Sequence, residues 1–272
     1  MTKGTVLTTG ANSGIGLATV LEVARRGYRS VGTVRSEAKA DVVAKAAAAA
    51  GVDVETVLLD VTDAERGAEV IDEWRPYGLI NNAGFSSTGA VEDVSDDEAR
   101  QQLEAMVVAP VRLARLALPY MREAGQGRII NVSSIYGRAT TPFSGWYQAS
   151  KHALEALSDA LRNEVAGAGV KVILVEPGGF KTGIWEENER DIARREGSRY
   201  GAAYQRTLLA IRLATTFAGD PAGVAKVIGG ALSARAPRAR YLVGYDAQAL
   251  AVMESVTPTA VKDRVMRLAL GL

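Results

Sequence analysis

Thr5-Val6-Leu7-Thr8-Thr9-Gly10-Ala11-Asn12-Ser13-Gly14-Ile15-Gly16 is the stretch that decides the fold. Its first five residues form a short run rich in β-branched side chains, which predicts a strand. Glycines stand at 10, 14 and 16, and residues 17–26 have helical composition. A strand, a glycine turn and a helix N-terminus make an anion cradle, because backbone N–H groups and the positive end of the helix dipole converge there. Gly10 permits the tight turn, Gly14 the approach of a pyrophosphate, and Gly16 close packing of the helix. The spacing is G-x-x-x-G-x-G rather than the commoner G-x-G-x-x-G. Alone, the loop divides evenly between a structural turn and a cofactor site; its strand–helix setting favours the cofactor.

Strand and helix signals alternate from there. Residues 29–34 read as a second strand, 36–50 as an alanine-rich helix stopped at Gly51, 54–59 as a third strand and 63–74 as a helix. Leu79-Ile80 is a short buried strand leading into Asn81-Asn82-Ala83-Gly84. Ser95 and Glu98 form a capping box for a helix running towards Met121, in which Pro110 and Pro119 predict a kink or break. Residues 128–132 are a fifth strand flowing into Ser133-Ser134, and a helix from near Ser144 follows. Residues 170–175 and 240–243 complete seven strands. Asp220-Pro221 starts a further helix, and 262–270 is a terminal one stopped by Gly271. The pattern predicts an α/β, doubly wound Rossmann-type fold: a seven-stranded, mostly parallel sheet with helices on both faces, forming a single domain over 1–272. The charged stretch 184–200 reads either as a solvated helix face or as part of a substrate lid at about 182–218, with Trp185 and Tyr204 as its contributions.

Composition narrows the function. A formal net charge of +1 over 272 residues gives no global pull towards nucleic acid or membrane. There are no cysteines and one histidine, His152, so neither disulfides nor a metal site is expected. No run is apolar and long enough to span a bilayer, and the first strand leaves no room for a signal peptide. The expectation is a soluble, cytoplasmic protein.

In a doubly wound sheet, ligands meet the carboxyl ends of the strands. The glycine loop, Asp60, residues 81–84, Ser134 and Pro177-Gly178 all occupy such ends. At the end of the second strand the usual acidic position holds Val34, and Arg35 follows; this favours a 2′-phosphate, hence NADP over NAD. Tyr147 and Lys151 stand four residues apart and share a helix face. An ammonium beside a phenol lowers its pKa from about 10, bringing it into range for proton transfer. As an isolated motif such a pair is usually an ordinary helix-surface feature. His152, beside Lys151, points off that face.

Taken in order, Thr9-Gly10 with Gly14 and Gly16, Asn81-Asn82-Ala83-Gly84, Ser134, Tyr147 with Lys151, and Pro177-Gly178 with Thr182 resemble the short-chain dehydrogenase/reductase family in its single-domain branch. The resemblance implies that Gly10, Asn12, Ser13, Gly14, Ile15 and Gly16 hold the pyrophosphate and nearby ribose, and that Arg35 meets the 2′-phosphate. It places Asp60 and Val61 beside adenine, Asn82, Ala83 and Gly84 along the adenosine ribose, and Pro177, Gly178 and Thr182 at the nicotinamide. Ser134 would bond the substrate oxygen, Tyr147 would be the acid–base group, and Lys151 would hold the nicotinamide ribose and acidify Tyr147. Ser133 alternates to the other side of its strand. One position departs: Met106 stands where the family has an asparagine that supports a relay water, and Ala109 where it has glycine. A thioether cannot copy an amide's hydrogen bonds. Either the backbone carbonyl of Met106 still serves, or the relay is impaired.

The resulting expectation is an NADP(H)-dependent oxidoreductase interconverting a ketone or aldehyde and an alcohol. The alternative is a catalytically weak dinucleotide-binding sensor or partner subunit. A serine hydrolase is excluded, since Ser134 lacks the G-x-S-x-G elbow. Residues 89–93, 140–146 and 184–204 are expected to wall the substrate pocket, and Phe143, Trp146 and Trp185 suggest an apolar small-molecule substrate. The resemblance also implies a homodimer or homotetramer built through the helices bearing residues 106–118 and 147–161.

Overall fold

The computed structural model describes residues 3–272. Seven strands, β1 (Thr5–Thr8), β2 (Arg29–Val34), β3 (Val54–Leu58), β4 (Gly78–Asn81), β5 (Gly127–Val132), β6 (Val170–Pro177) and β7 (Arg240–Val243), form one sheet. Their order is β3-β2-β1-β4-β5-β6-β7, and every pairing is parallel. The expected fold class is therefore present, with no antiparallel member.

Adjacent strand residues feed opposite cores, as the two-residue period requires. Leu7, Leu79, Ile129 and Val172 pack with Val70, Ile71, Leu113, Ala117 and Met121 on one face. Their neighbours Val6, Ile80, Ile130 and Ile173 pack with Val23, Val224, Ile228 and Leu232 on the other. Burial on both faces explains why these strands read as continuous apolar runs. The first face is covered by α3 (Ala64–Trp74), α5 (Ala109–Glu123) and α6 (Gly145–Glu164); the second by α1 (Gly14–Arg25) and α9 (Pro221–Ser233). Helix α2 (Glu37–Ala50) lies against α1 and β2 through Val43.

The kink expected from the prolines takes a specific form. Helix α4 (Asp96–Leu103), capped by the Ser95–Glu98 box, passes into a π-helical turn at Glu104–Val108, which leads into α5. Pro110 has no N–H for the carbonyl of Met106, and the ladder widens just before it: Ala109 N donates to Glu104 O.

Beyond β6 the chain is more helical than its sequence suggests. Residues 184–216 form α7 (Ile184–Arg194) and α8 (Gly201–Thr216). After β7 come α10 (Tyr245–Val256), which the sequence reading did not include, and α11 (Thr259–Leu270), which starts three residues before the expected 262. Together α10 and α11 fully bury only Ala247. Their apolar residues face outward, Val252, Met253, Val256, Val265 and Leu268 among them, so the core-directed stripe that marks a helix is missing. No helix among the described residues is long and apolar enough to cross a membrane.

Helix α7 is tied to the loop after β4. Thr88 N donates to Asp191 Oδ2 at 2.9 Å and Thr88 Oγ1 to Asn188 Oδ1 at 2.8 Å. Arg195 Nη2 donates to Glu98 Oε1 at 2.7 Å. The Arg195 hydrogen bond draws the Glu98 carboxyl from 4.5 down to about 2. A carboxyl lowered on folding contributes stability above its unfolded pKa and loses it as pH falls towards the folded value. Glu98→Gln should therefore weaken the acid dependence of stability between about pH 4.5 and 2 and speed amide exchange along α7, measured by acid unfolding and hydrogen exchange.

Candidate active site

The strand order reverses between β1 and β4, and their carboxyl ends open a crevice. Thr9 and Asn82 stitch its two sides together. Thr9 Oγ1 accepts from Asn82 N at 3.0 Å and from Ala83 N at 2.9 Å. Asn82 Nδ2 donates to Thr9 O at 2.9 Å and to Gly10 O at 3.3 Å. The Asn82 amide thus holds the glycine turn itself. Gly10 has φ +68°, and a Cβ there would come within 2.9 Å of Ala83 Cα. On Gly16 a Cβ would lie 2.1 Å from Gly10 O, so only glycine lets α1 start so close to the turn. Ser13, the N-cap of α1, makes no side-chain capping bond, which leaves the first-turn N–H groups directed at the crevice.

A cleft of about 810 Å³ runs along these strand ends. Its lining includes every residue expected to bind cofactor or act in catalysis: Gly10, Asn12, Ser13, Gly14, Ile15, Gly16, Arg35, Asp60, Val61, Asn82, Ala83, Gly84, Ser134, Tyr147, Lys151, Pro177, Gly178 and Thr182. Strand order distributes them. Arg35 and Asp60 follow β2 and β3 on one side of the crevice; Ser134 and Pro177 end β5 and β6 on the other. Lys39 joins Arg35 on the first side, and both cations help hold Asp60 below its usual range, where it also accepts from Thr62 N and Oγ1 at 3.0 and 2.8 Å. Thr182 overhangs Gly14: a Cβ on Gly14 would meet Thr182 Cγ2 at 2.9 Å.

The second side carries the titratable chemistry. Helix α6 begins at Gly145 and places Tyr147 in its first turn and Lys151 one turn on. Ser134 Oγ accepts from Tyr136 N at 3.2 Å and lies close enough to Tyr147 to favour its ionised form. The protein alone does not acidify the phenol as the sequence reading expected. Burial pushes Tyr147 up to about 12, opposed by Ser134. Lys151 is drawn down to about 8 by its own burial. Its Nζ lies 5.7 Å from the Tyr147 ring centre and donates to Val132 O at 2.8 Å. Desolvation outweighs the Glu155 charge at Lys151, and at Tyr147 it outweighs the influence of Ser134.

Several expected pocket residues lie elsewhere. Phe143 and Trp146 do not line the cleft, and of residues 140–146 only Ser144 does. Phe143 packs instead against Tyr200 and Tyr204, with ring centres 5.7 and 4.8 Å away. Tyr204 is buried and bonds Ala90 N at 2.7 Å, so it braces the loop rather than facing a ligand. Residues 89–93 are likewise absent from the lining, whereas Phe85, Ser86, Phe180, Ile184 and Trp185 are present. His152 is outside the cleft, and its Nδ1 lies 2.9 Å from Gln148 O.

Three supporting residues carried no recognised sequence signal. Gln102, fully buried on α4, donates to Phe85 O at 2.9 Å, accepts from Ser87 N at 2.8 Å, and places its amide on the sulfur of Met106. Asp246, in the first turn of α10, accepts from Gly179 N at 2.6 Å and fixes the Pro177-Gly178-Gly179 loop. Glu155, buried one turn beyond Lys151, is the third. A polar residue inside a helix looks solvated in sequence; only tertiary packing shows that Gln102 and Glu155 are buried and that Asp246 is bonded to a distant loop.

Fold and cleft together define a dinucleotide-binding oxidoreductase of the Rossmann type, and the comparisons agree. The sequence profile of the family described as short chain dehydrogenase matches residues 4–193, and the chain belongs to that family. It is 32% identical over 283 residues to retinol dehydrogenase 16 of Mus musculus, covering 96% of this chain and 87% of that one. Among solved structures it is similar to a short-chain dehydrogenase from Streptomyces avermitilis, with 32% identity, a TM-score of 0.79, and coverage of 100% of this chain and 98% of the other. Actinorhodin polyketide ketoreductase, solved as a variant with NADPH, aligns at 26% identity with a TM-score of 0.72, covering 89% of this chain and 97% of its own.

Proposed function

We propose that this protein is an NADP(H)-dependent oxidoreductase interconverting a ketone or aldehyde and an alcohol, with Tyr147 as the acid–base group. One observation carries the reading. Ser134 and Tyr147 stand together on one side of a crevice whose other side presents Arg35 and Lys39. The residues fit a phosphorylated dinucleotide. The uncapped first turn of α1 and the glycine cradle suit its pyrophosphate, and the two cations suit a 2′-phosphate. When bound, the cofactor supplies or accepts the hydride.

The chain's own groups handle the proton. In the reductive direction Tyr147 gives its phenolic proton to the carbonyl oxygen as negative charge develops there, and Ser134 donates a second hydrogen bond to that oxygen. A phenol held above its ordinary pKa is in the protonated state this step needs. Lys151 contributes positive charge beside the phenol. Arg35 supports NADP, as does the ketoreductase relative solved with NADPH. Ile184, Trp185, Phe180 and Phe85 line the cleft and suit an apolar substrate, in keeping with the retinol dehydrogenase relative. Residues 182–218 serve as the lid, and a homodimer or homotetramer through α5 and α6 is the expected assembly. NADPH oxidation against a panel of apolar ketones and aldehydes tests the reading; binding of NADPH without turnover on any of them would sink it.

That outcome would favour the second reading, a sensor or partner subunit, which Met106 motivates. Its sulfur is engaged by Gln102 and lies 3.9 Å from Ser150 Oγ. Because Ser134, Tyr147 and Lys151 are all present, Met106→Asn is expected to change kcat by less than about tenfold, or roughly 1.4 kcal/mol. A larger rise would mean that position 106 limits the wild-type enzyme.

A further inference from the structure

Behind the phenol, α6 carries a second ionisable group. Lys151 and Glu155 stand one turn apart on the same face, 6% and 7% exposed. Ser133 lies near the Glu155 carboxylate, but neither its Oγ nor Glu155 Oε1 has a hydrogen-bond partner among the described residues. The point where a Cβ on Gly137 would sit is 2.9 Å from Ser133 Oγ and 3.3 Å from Glu155 Oε1. Burial raises that carboxyl, opposed by its polar neighbours, Arg240 among them. On its other side, Glu155 Oε2 accepts from Arg240 Nε of β7 at 3.1 Å. Arg240 also contacts Asp159 of α6 and the fully buried Glu176 of β6; Glu176 takes Arg138, and Asp159 takes Arg162. The carboxylate is therefore held by Arg240, which is itself anchored by Asp159 and Glu176, while Lys151 is held by the Val132 carbonyl.

We propose that Glu155 is a positioning residue for the acid–base pair: its carboxylate keeps the buried Lys151 ammonium charged, and Arg240 holds that carboxylate in place. The proposal rests on reading Lys151 as the cation that serves Tyr147. Burial alone favours loss of the lysine proton, and Glu155 is the neighbour that opposes it. Without that negative charge the lysine would release its proton within the neutral range and leave the phenol without its cation.

The test separates charge from packing. In protein carrying ε-¹³C-lysine, the Lys151 resonance is assigned by its loss in Lys151→Met and titrated without cofactor or substrate. Glu155→Gln keeps the volume and removes the charge. Arg240 retains Asp159 and Glu176 in that variant, so no guanidinium is stranded. The Lys151 midpoint is expected to fall by at least about 0.5 unit, because an anion is removed from its surroundings. Glu155→Asp keeps the charge, withdraws it by one methylene and loses volume; its midpoint should lie between those of wild type and Glu155→Gln. It also serves as the second variant should Glu155→Gln not fold. An unchanged or raised midpoint overturns the proposal, as does a larger fall in the Asp variant than in the Gln variant, the order a packing role would give. In active enzyme, the pH at which carbonyl reduction declines should move down with the Lys151 midpoint. A midpoint that moves in a protein without turnover would instead leave the charge coupling intact and remove the reading of Tyr147 and Lys151 as catalytic.

Discussion

Tyr147→Phe is expected to lower kcat for carbonyl reduction by about 10²–10⁴-fold, the usual contribution of a positioned acid–base group. The change removes one oxygen and keeps the ring, so packing at the start of α6 is preserved. NADPH affinity, measured by fluorescence titration, should change little, because the glycine turn, Arg35 and Lys39 are untouched. Ser134 would keep Tyr136 N as a donor but lose the phenol. The expected result is a protein that loads cofactor and scarcely turns over. Turnover equal to wild type would remove Tyr147 from the chemistry. Direction adds a second readout. Oxidation of an alcohol needs the phenolate, and burial disfavours it. Oxidation should therefore climb with pH across the assay range, while reduction should not.

Arg35→Ala is expected to weaken NADPH binding by about 10–100-fold, since a hydrogen-bonded contact to a charged group contributes roughly 1.5–3 kcal/mol. NADH binding should be nearly unaffected, because it has no 2′-phosphate. Lys39 lines the same end of the cleft and will soften the loss, so Arg35→Ala with Lys39→Ala should exceed the single change. Calorimetric affinities for both nucleotides decide the matter. A wild-type preference for NADH, unaltered by Arg35→Ala, would mean that the arginine is a solvated strand end.

The parts of the molecule that could be read from the sequence are those in which local pattern and final environment coincide. Val6-Leu7 and Leu79-Ile80 are apolar on both sides because both sides of the sheet are covered. Gly16 is a glycine because a Cβ would collide with Gly10 O, and Gly10 turns with φ +68°, both demands arising within the first strand–helix unit. Where the deciding contact is distant in the chain, the signal fades. Phe143 and Trp146 have the composition of a pocket wall, but for Phe143 the outcome is set by Tyr200 and Tyr204, more than fifty residues away. Glu155 and Gln102 look like solvent-facing helix residues until β7, β5 and the loop at 85–88 are folded over them. Helix α10 eluded the reading because its apolar side chains point to solvent, leaving no inward stripe to detect. The acidity of Tyr147 was misjudged for a related reason: Lys151 is in place, but it faces a carbonyl of β5, and dehydration dominates both groups.

The four hydrogen bonds between Thr9-Gly10 and the Asn82-Ala83 segment are satisfied within the chain itself. A nucleotide arriving at this edge finds a mould already set, so little entropy is lost in shaping it, and association should run close to the rate at which the two molecules collide in suitable orientation. On the proposed reading, discrimination among carbonyl compounds falls to the other wall, where α7 is tethered to Thr88.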